Sequence, residues 1–183
     1  MFIIYAVILG ILLGLICGGN LKFLVQRPLY WKLLAICAFL IQIVIFSDIP
    51  FAKSLSGNVI TILHIISYIF LLAFWIRNIK VPGIPVIGAG IFSNSLVIIL
   101  NGGYMPTFSK NLENTSVSNA AEAISRGDAV HNSIETTRST LLPWLGDIFY
   151  MPSWVPFSNV FSIGDILIAA GICIYLVVNM KQN

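Results

Sequence analysis

The run GNVITILHIISYIFLLAFWI, Gly57–Ile76, contains no charged side chain. A helix needs roughly 20 predominantly apolar residues to cross the hydrocarbon core of a bilayer, and this stretch has that length. Four others meet it as well: about 2–19, 30–48, 83–100 and 160–179. The pattern predicts an all-α, polytopic membrane helix bundle of about five transmembrane helices.

Composition points the same way. Of 183 residues, 58% are hydrophobic and only 9% charged, where a soluble domain carries about 25%. So few polar groups cannot cover a water-facing surface, so the solvent expected for most of this chain is lipid. The net charge of +3 comes from few groups and leaves no nucleic-acid footprint. Cys17, Cys37 and Cys173 all lie in apolar runs. Three cysteines without metal-type spacing read as small hydrophobes rather than as a disulfide framework or zinc site. The first apolar run has signal-peptide length, but no basic stretch precedes it and no small-x-small cleavage site follows. It is read as a retained span. Its Gly10, Gly14 and Gly18, at i, i+4 and i+8, offer one face of small residues for close helix approach.

Basic residues set the orientation. Lys22, Arg27 and Lys32 lie between spans one and two, Arg77 and Lys80 between three and four, and Lys181 after span five. The positive-inside rule puts these on the cytoplasmic side. Lys53, Lys110, Arg126, Arg138 and every acidic residue fall on the other side, counting Asp165 at the outer end of span five. The expected topology is N-terminus out and C-terminus in. Residues 1–100 form a four-span bundle, 101–159 a long external loop, and 160–183 the fifth helix with its cytoplasmic tail.

A loop of that length is more than a connector. Residues 107–118, rich in Ser, Thr and Asn, read as flexible, and Asn114-Thr115-Ser116 matches a glycosylation acceptor, a triplet common by chance. Asn119 followed by Glu122 has capping-box spacing, and Gly127 can end the short helix that results. A second short helix is expected at about 129–142. Residues 143–158 then bring Trp144, Phe149, Tyr150, Trp154 and Phe157 among Pro143, Pro152 and Pro156. The prolines exclude a continuous helix, and the aromatics suit a segment lying at headgroup level.

Polar groups within spans require partners. Asn94 and Asn101 are seven apart, and His64 and Tyr68 one turn apart. Asn159, Ser162 and Asp165, spaced i, i+3, i+6, would share a helical face. His64 reads more readily as an imidazole bonded between helices than as a ligand group; His131 sits in a polar loop. Asp165 is the one acid inside a span and a functional suspect for that reason, although a carboxylate one turn deep can also snorkel. Asp147 follows Gly146 in the aromatic segment. Two carboxylates brought together at a partly dry interface would share a proton, one acting as base and the other as acid.

Asn101-Gly-Gly-Tyr-Met-Pro106, Leu145-Gly-Asp147 and Asn159-Val-Phe-Ser-Ile-Gly-Asp165-Ile-Leu, with Gly14-Leu-Ile-Cys-Gly-Gly19, resemble a family of small bacterial multi-span membrane proteins known only as a domain of unknown function. The resemblance spans nearly the whole chain and implies a bacterial source and a cytoplasmic-membrane location, but no activity. Locally, the C-terminal third is similar to lipoprotein signal peptidases, which use two outer-side aspartates. There the second opens the last span in a Phe-Asn-x-Ala-Asp pattern followed by apolar residues and a glycine. Asp147 and Asp165 have comparable placement, and Ile166-Leu-Ile-Ala-Ala-Gly171 follows. The chain departs from that family in four ways. Ser162 stands in place of the asparagine, the Gly-Asn-x-x-Asp-Arg motif is missing, spans number five rather than four, and the external loop is longer.

Three functions compete. The leading expectation is a non-catalytic membrane protein whose outer face binds a lipid, a small ligand, a peptide or a membrane protein. The second is an aspartyl hydrolase or peptidase using Asp147 and Asp165, with Asn94, Asn101, Asn159, Ser162 and His64 binding or orienting the ligand. The third is a small-solute transporter, for which spans one and two offer few polar groups at mid-depth. No nucleotide loop, haem motif, metal cluster or serine-nucleophile motif is present, so no cofactor or metal is expected.

Overall fold

A computed structural model describes residues 2–46, 50–53, 55–130 and 132–181; Asp48 and His131 lie outside them. The structure is mostly helical: α1 Phe2–Ile16, α2 Leu21–Gln26, α3 Lys32–Ile45, α4 Pro50–Lys53, α5 Gly57–Arg77, α6 Ile84–Leu100, α7 Ser109–Glu113, α8 Asn119–Ser125 and α9 Ile163–Asn179. Four short strands lie between α6 and α9: β1 Met105–Thr107, β2 Ser133–Glu135, β3 Phe149–Tyr150 and β4 Val160–Phe161.

The five apolar stretches each form a helix, but most are shorter than the sequence suggests. Among the described residues α5 alone is long and apolar enough to cross a membrane by itself; α1, α3, α6 and α9 are apolar helices of 15, 14, 17 and 17 residues. The first span stops early because Gly18 turns left-handed (φ 79°) while the Gly19 N–H bonds back to the Gly14 carbonyl at 2.8 Å, a Schellman ending. Gly18 therefore terminates α1 instead of extending its small-residue face. The second span starts late because Trp31 also has positive φ, 54°.

The helices pack in the order α1–α9–α6–α5–α3. Gly10 and Gly14 set α1 against α9: a Cβ on Gly10 would press on Leu176 and the Cys173 backbone, and one on Gly14 on Met180. These two helices run parallel, with Phe2 stacked on Phe161 at one end and the Asn20 N–H bonded to the Met180 carbonyl at the other. Antiparallel α6 and α9 meet through reciprocal glycines, Gly90 against Gly164 and Gly83 against Gly171. Helices α3 and α5 likewise run in opposite directions, tied by Gln42 Nε2 to Ser67 Oγ (2.9 Å) and by Asn78, whose amide bonds both the Tyr30 N–H and carbonyl. One end of the bundle thus gathers the α1–α3, α5–α6 and C-terminal segments; the other carries residues 101–162.

That cap is built differently from expectation. Residues 107–118 contain α7. The helix expected at about 129–142 does not form; Ser133–Glu135 instead pairs in parallel with Met105–Thr107. Asn119 begins α8 without a side-chain capping bond, and Glu122 pairs with Arg126 (2.9 Å). Gly127, at φ 91°, follows the helix end as read. Leu112, Ala121 and Ile124 form a small core in the cap, and Val97, Ile98 and Met105 join it to the bundle.

Candidate functional site

The first turn of α9 carries the most connected polar group. Ser162 is its N-cap: its Oγ accepts from the Asp165 N–H and its own N–H donates to Asp165 Oδ2, both at 3.0 Å. This reciprocal pair satisfies two backbone donors that a helix start leaves open. Asn94, reaching across from α6, accepts from Ser162 Oγ (2.9 Å) and donates to Asp165 Oδ1 (3.0 Å). Close approach of the two helices at Gly90 and Gly164 makes this possible, since a Cβ on Gly164 would occupy the space of Asn94 Oδ1. Asn159 lies before β4 rather than on the helix, so it shares no helical face with Ser162 and Asp165.

Asp147 arrives from the cap. A 3-10 turn over Pro143–Leu145 leads to Gly146, whose missing side chain lets the backbone pass the Pro106 carbonyl. The Asp147 N–H then bonds that carbonyl at 2.8 Å, laying the residue beside β1. Its side chain is buried, 8% exposed, with Oδ2 accepting from Thr107 Oγ1 at 3.3 Å. Burial, reinforced by the Asp165 charge and opposed by the Thr107 hydroxyl, pushes the carboxyl up to about 8, because desolvation disfavours the ionised form.

Both aspartates line a single cavity of about 450 Å³ at the cap end of the bundle. Phe2, Ile3 and Ile4 of α1 form one wall and Phe39 and Gln42 of α3 the other. Tyr68, Asn94 and Asp165 form the floor, and residues of the cap, Asn132, Ser133, Asp147 and Asn159 among them, the roof. Among the described residues, no Lys, Arg or His lines it.

Of the residues singled out from sequence, Asp147, Asp165, Asn94 and Asn159 meet at this cavity, and Ser162 braces it from behind. His64 and Asn101 do not line it. His64 is buried with Nδ1 2.9 Å from the Gly103 carbonyl and stands edge-on to Phe46, holding α5 to the start of the cap. The Asn101 amide is fully engaged with backbone: Nδ2 donates to Val97 and Leu141 carbonyls and Oδ1 accepts from the Leu141 N–H. It clamps the cap to the end of α6. Gln42 and Asn132 were not singled out. An amide in an otherwise apolar α3 was a readable signal; Asn132, brought in by long-range strand pairing, carried none.

Residues 26–177 match the model of DUF5317, described as a family of unknown function. The chain is 26% identical over 118 residues to an uncharacterized protein of Thermotoga maritima, covering 63% of each chain. No solved structure matches.

Proposed function

We propose, for a chain that belongs to the DUF5317 family of unknown function, the role of a bacterial five-span cytoplasmic-membrane protein that binds an amphiphilic ligand in its outer-side cavity. The observation that carries this reading is the cavity itself, polar at floor and roof and walled mainly by apolar side chains of α1 and α3. Large apolar side chains stay exposed around the bundle, among them Ile8, Leu12, Leu33, Ile62, Ile69, Phe92 and Ile174. In water such a continuous surface would aggregate; in lipid it is the expected exterior. The helix directions alternate along the chain as five passes require. Lys22, Arg27, Lys32, Arg77, Lys80 and Lys181 then collect at the end away from the cap, the cytoplasmic end by charge. Exposed Trp144 and Trp154 suit headgroup level, and Tyr5 of α1 ties their segment down through the Pro156 carbonyl (2.6 Å).

Two measurements test the reading. On a background with Cys17, Cys37 and Cys173 replaced, Ser139→Cys is expected to react with an impermeant maleimide in intact cells, and Lys80→Cys only after permeabilisation. The reverse pattern, or equal labelling, overturns the topology. Native mass spectrometry should find one amphiphile per solubilised chain. Ser133→Trp, which fills the cavity from its roof, should remove it; unchanged retention would place the ligand elsewhere.

A second reading, aspartate-dependent hydrolysis, draws on the unlike surroundings of the two carboxylates. Asp165 would take a proton from water as the water oxygen attacks a carbonyl carbon, and protonated Asp147 would deliver one to the leaving group as that bond breaks. It ranks second because both Asp165 oxygens are already engaged by Ser162 and Asn94. Loss of a hydrolytic activity in both Asp147→Asn and Asp165→Asn, with expression unchanged, would promote it. Activity surviving both changes would end it.

A further inference from the structure

We infer that the cavity selects an amphiphile whose polar head is an ammonium group, admitted sideways from the bilayer between α1 and α3. The inference rests on the membrane-bundle reading above and adds the class and route of the ligand. Its first support is a gap in the bundle. α1 packs on α9, and α3 on α5, whereas α1 and α3 share at most a marginal contact. The cavity reaches both helices there, lined by Phe2 and Ile3 of α1 and by Phe39 of α3, which places its mouth between them. Outside that mouth the flanking side chains are apolar and exposed, Val7 on α1 with Phe39 and Ile43 on α3. An alkyl tail can lie along them while its head sits inside. A soluble ligand would gain nothing from such an entrance.

Charge decides the head. The cavity holds two carboxyl groups and, among the described residues, no basic one. Asp165 is held in place by Ser162 and Asn94. Asp147 is more than nine-tenths buried, and only one of its oxygens accepts a hydrogen bond from the described residues. The other carboxyl oxygen is open to the cavity, where an ammonium can donate to it. Phe2, Phe39, Tyr68 and Phe161 also line the space, and aromatic faces attract ammonium groups, most strongly where water is excluded. A phosphate or sulfate head would meet like charge and, among the described lining residues, no cationic group to offset it.

The test is calorimetric titration of the full chain in uncharged maltoside micelles, with heats of the empty micelles subtracted. The probes are dodecyltrimethylammonium, dodecyl phosphate and tetramethylammonium. Saturable one-to-one binding of dodecyltrimethylammonium is expected, at least tenfold tighter than dodecyl phosphate and at least tenfold tighter than tetramethylammonium. Asp165→Asn should weaken it at least tenfold. Asp147→Asn, which leaves the α9 cap untouched, should weaken it as well and serves if Asp165→Asn misfolds. Equal binding of dodecyl phosphate, or wild-type affinity in both variants, overturns the ammonium head while leaving the cavity reading intact. Tetramethylammonium binding as tightly as the dodecyl compound overturns the lateral route in favour of a soluble amine. If no amphiphile of any charge saturates, the binding reading fails as well.

Discussion

Gly164→Val is expected to prevent the bundle from assembling, with little folded protein recovered in mild detergent and no cooperative unfolding transition in what remains. A Cβ at Gly164 would overlap Asn94 Oδ1 and press at 2.8 Å on the Gly90 carbonyl; one at Gly90 would overlap the Gly164 carbonyl. Seven residues away the arrangement repeats, with a Cβ on Gly171 meeting the Gly83 carbonyl at 2.9 Å. These partners are backbone, which cannot rotate aside, so α6 and α9 would have to separate along the whole crossing. Overpacking at one site costs typically about 1–3 kcal/mol and occasionally more; parting the central helix pair, which also dismantles the Asn94–Ser162–Asp165 cluster, belongs at or above the top of that range. Gly127→Ala is the control. Gly127 has positive φ, 91°, but a Cβ there meets nothing within 4 Å, so its cost is backbone strain alone, on the order of 1 kcal/mol. Similar losses for the two variants, read as denaturation midpoints, would show that close helix approach is not what the glycines provide.

Much of the bundle was legible because a long unbroken apolar run is a one-dimensional signal: each such run in the sequence is a helix. The ends were less legible. Whether α1 stops at Ile16 or runs on depends on the left-handed turn at Gly18, and a glycine can equally sit inside a membrane helix. The cap was read poorly for a different reason. Ser133–Glu135 becomes a strand only because Met105–Thr107 comes to lie beside it, and no local pattern announces a partner 28 residues earlier. Capping signals showed the same ambiguity. Asn119 with Glu122 has the right spacing and makes no capping bond, whereas Ser162 with Asp165 has it and makes both. The difference is position: Ser162 is the N-cap of α9, in extended backbone, whereas Ser118 is the N-cap of α8 and Asn119 already lies inside that helix. The four cavity residues Asn94, Asp147, Asn159 and Asp165 were recognisable one by one as polar groups in apolar company. Their meeting was not, because it depends on the glycine crossing of α6 and α9 and on the fold of the cap.

Raising the pH should destabilise the wild-type protein, and Asp147→Asn should remove that dependence. The Asp147 carboxyl is pushed up to about 8 in the folded chain by burial first and by the Asp165 charge second, while in an unfolded chain it would titrate near 3.9. Between those values the folded state binds a proton that the unfolded state has released, so stability falls as pH rises, by at most about 1.4 kcal/mol per pH unit. The contribution is fully present below about pH 4 and gone above the folded value. Among the described residues, the groups facing Asp147 are the Asp165 carboxylate from α9, the Tyr68 ring from α5 and the Thr107 hydroxyl from β1, with no basic residue lining the cavity. Nothing in that set would reverse the trend. Thermal midpoints in detergent should therefore drop from pH 5 to pH 8 in the wild type and stay nearly level in Asp147→Asn, which becomes the more stable of the two at alkaline pH. Parallel curves would mean that Asp147 is solvated. The same proton gives ammonium binding the opposite slope: a cation in the cavity favours the ionised carboxylate, so its affinity should rise with pH over the range in which the empty protein weakens. A ligand that tightens as its receptor loosens would assign both effects to one carboxyl group.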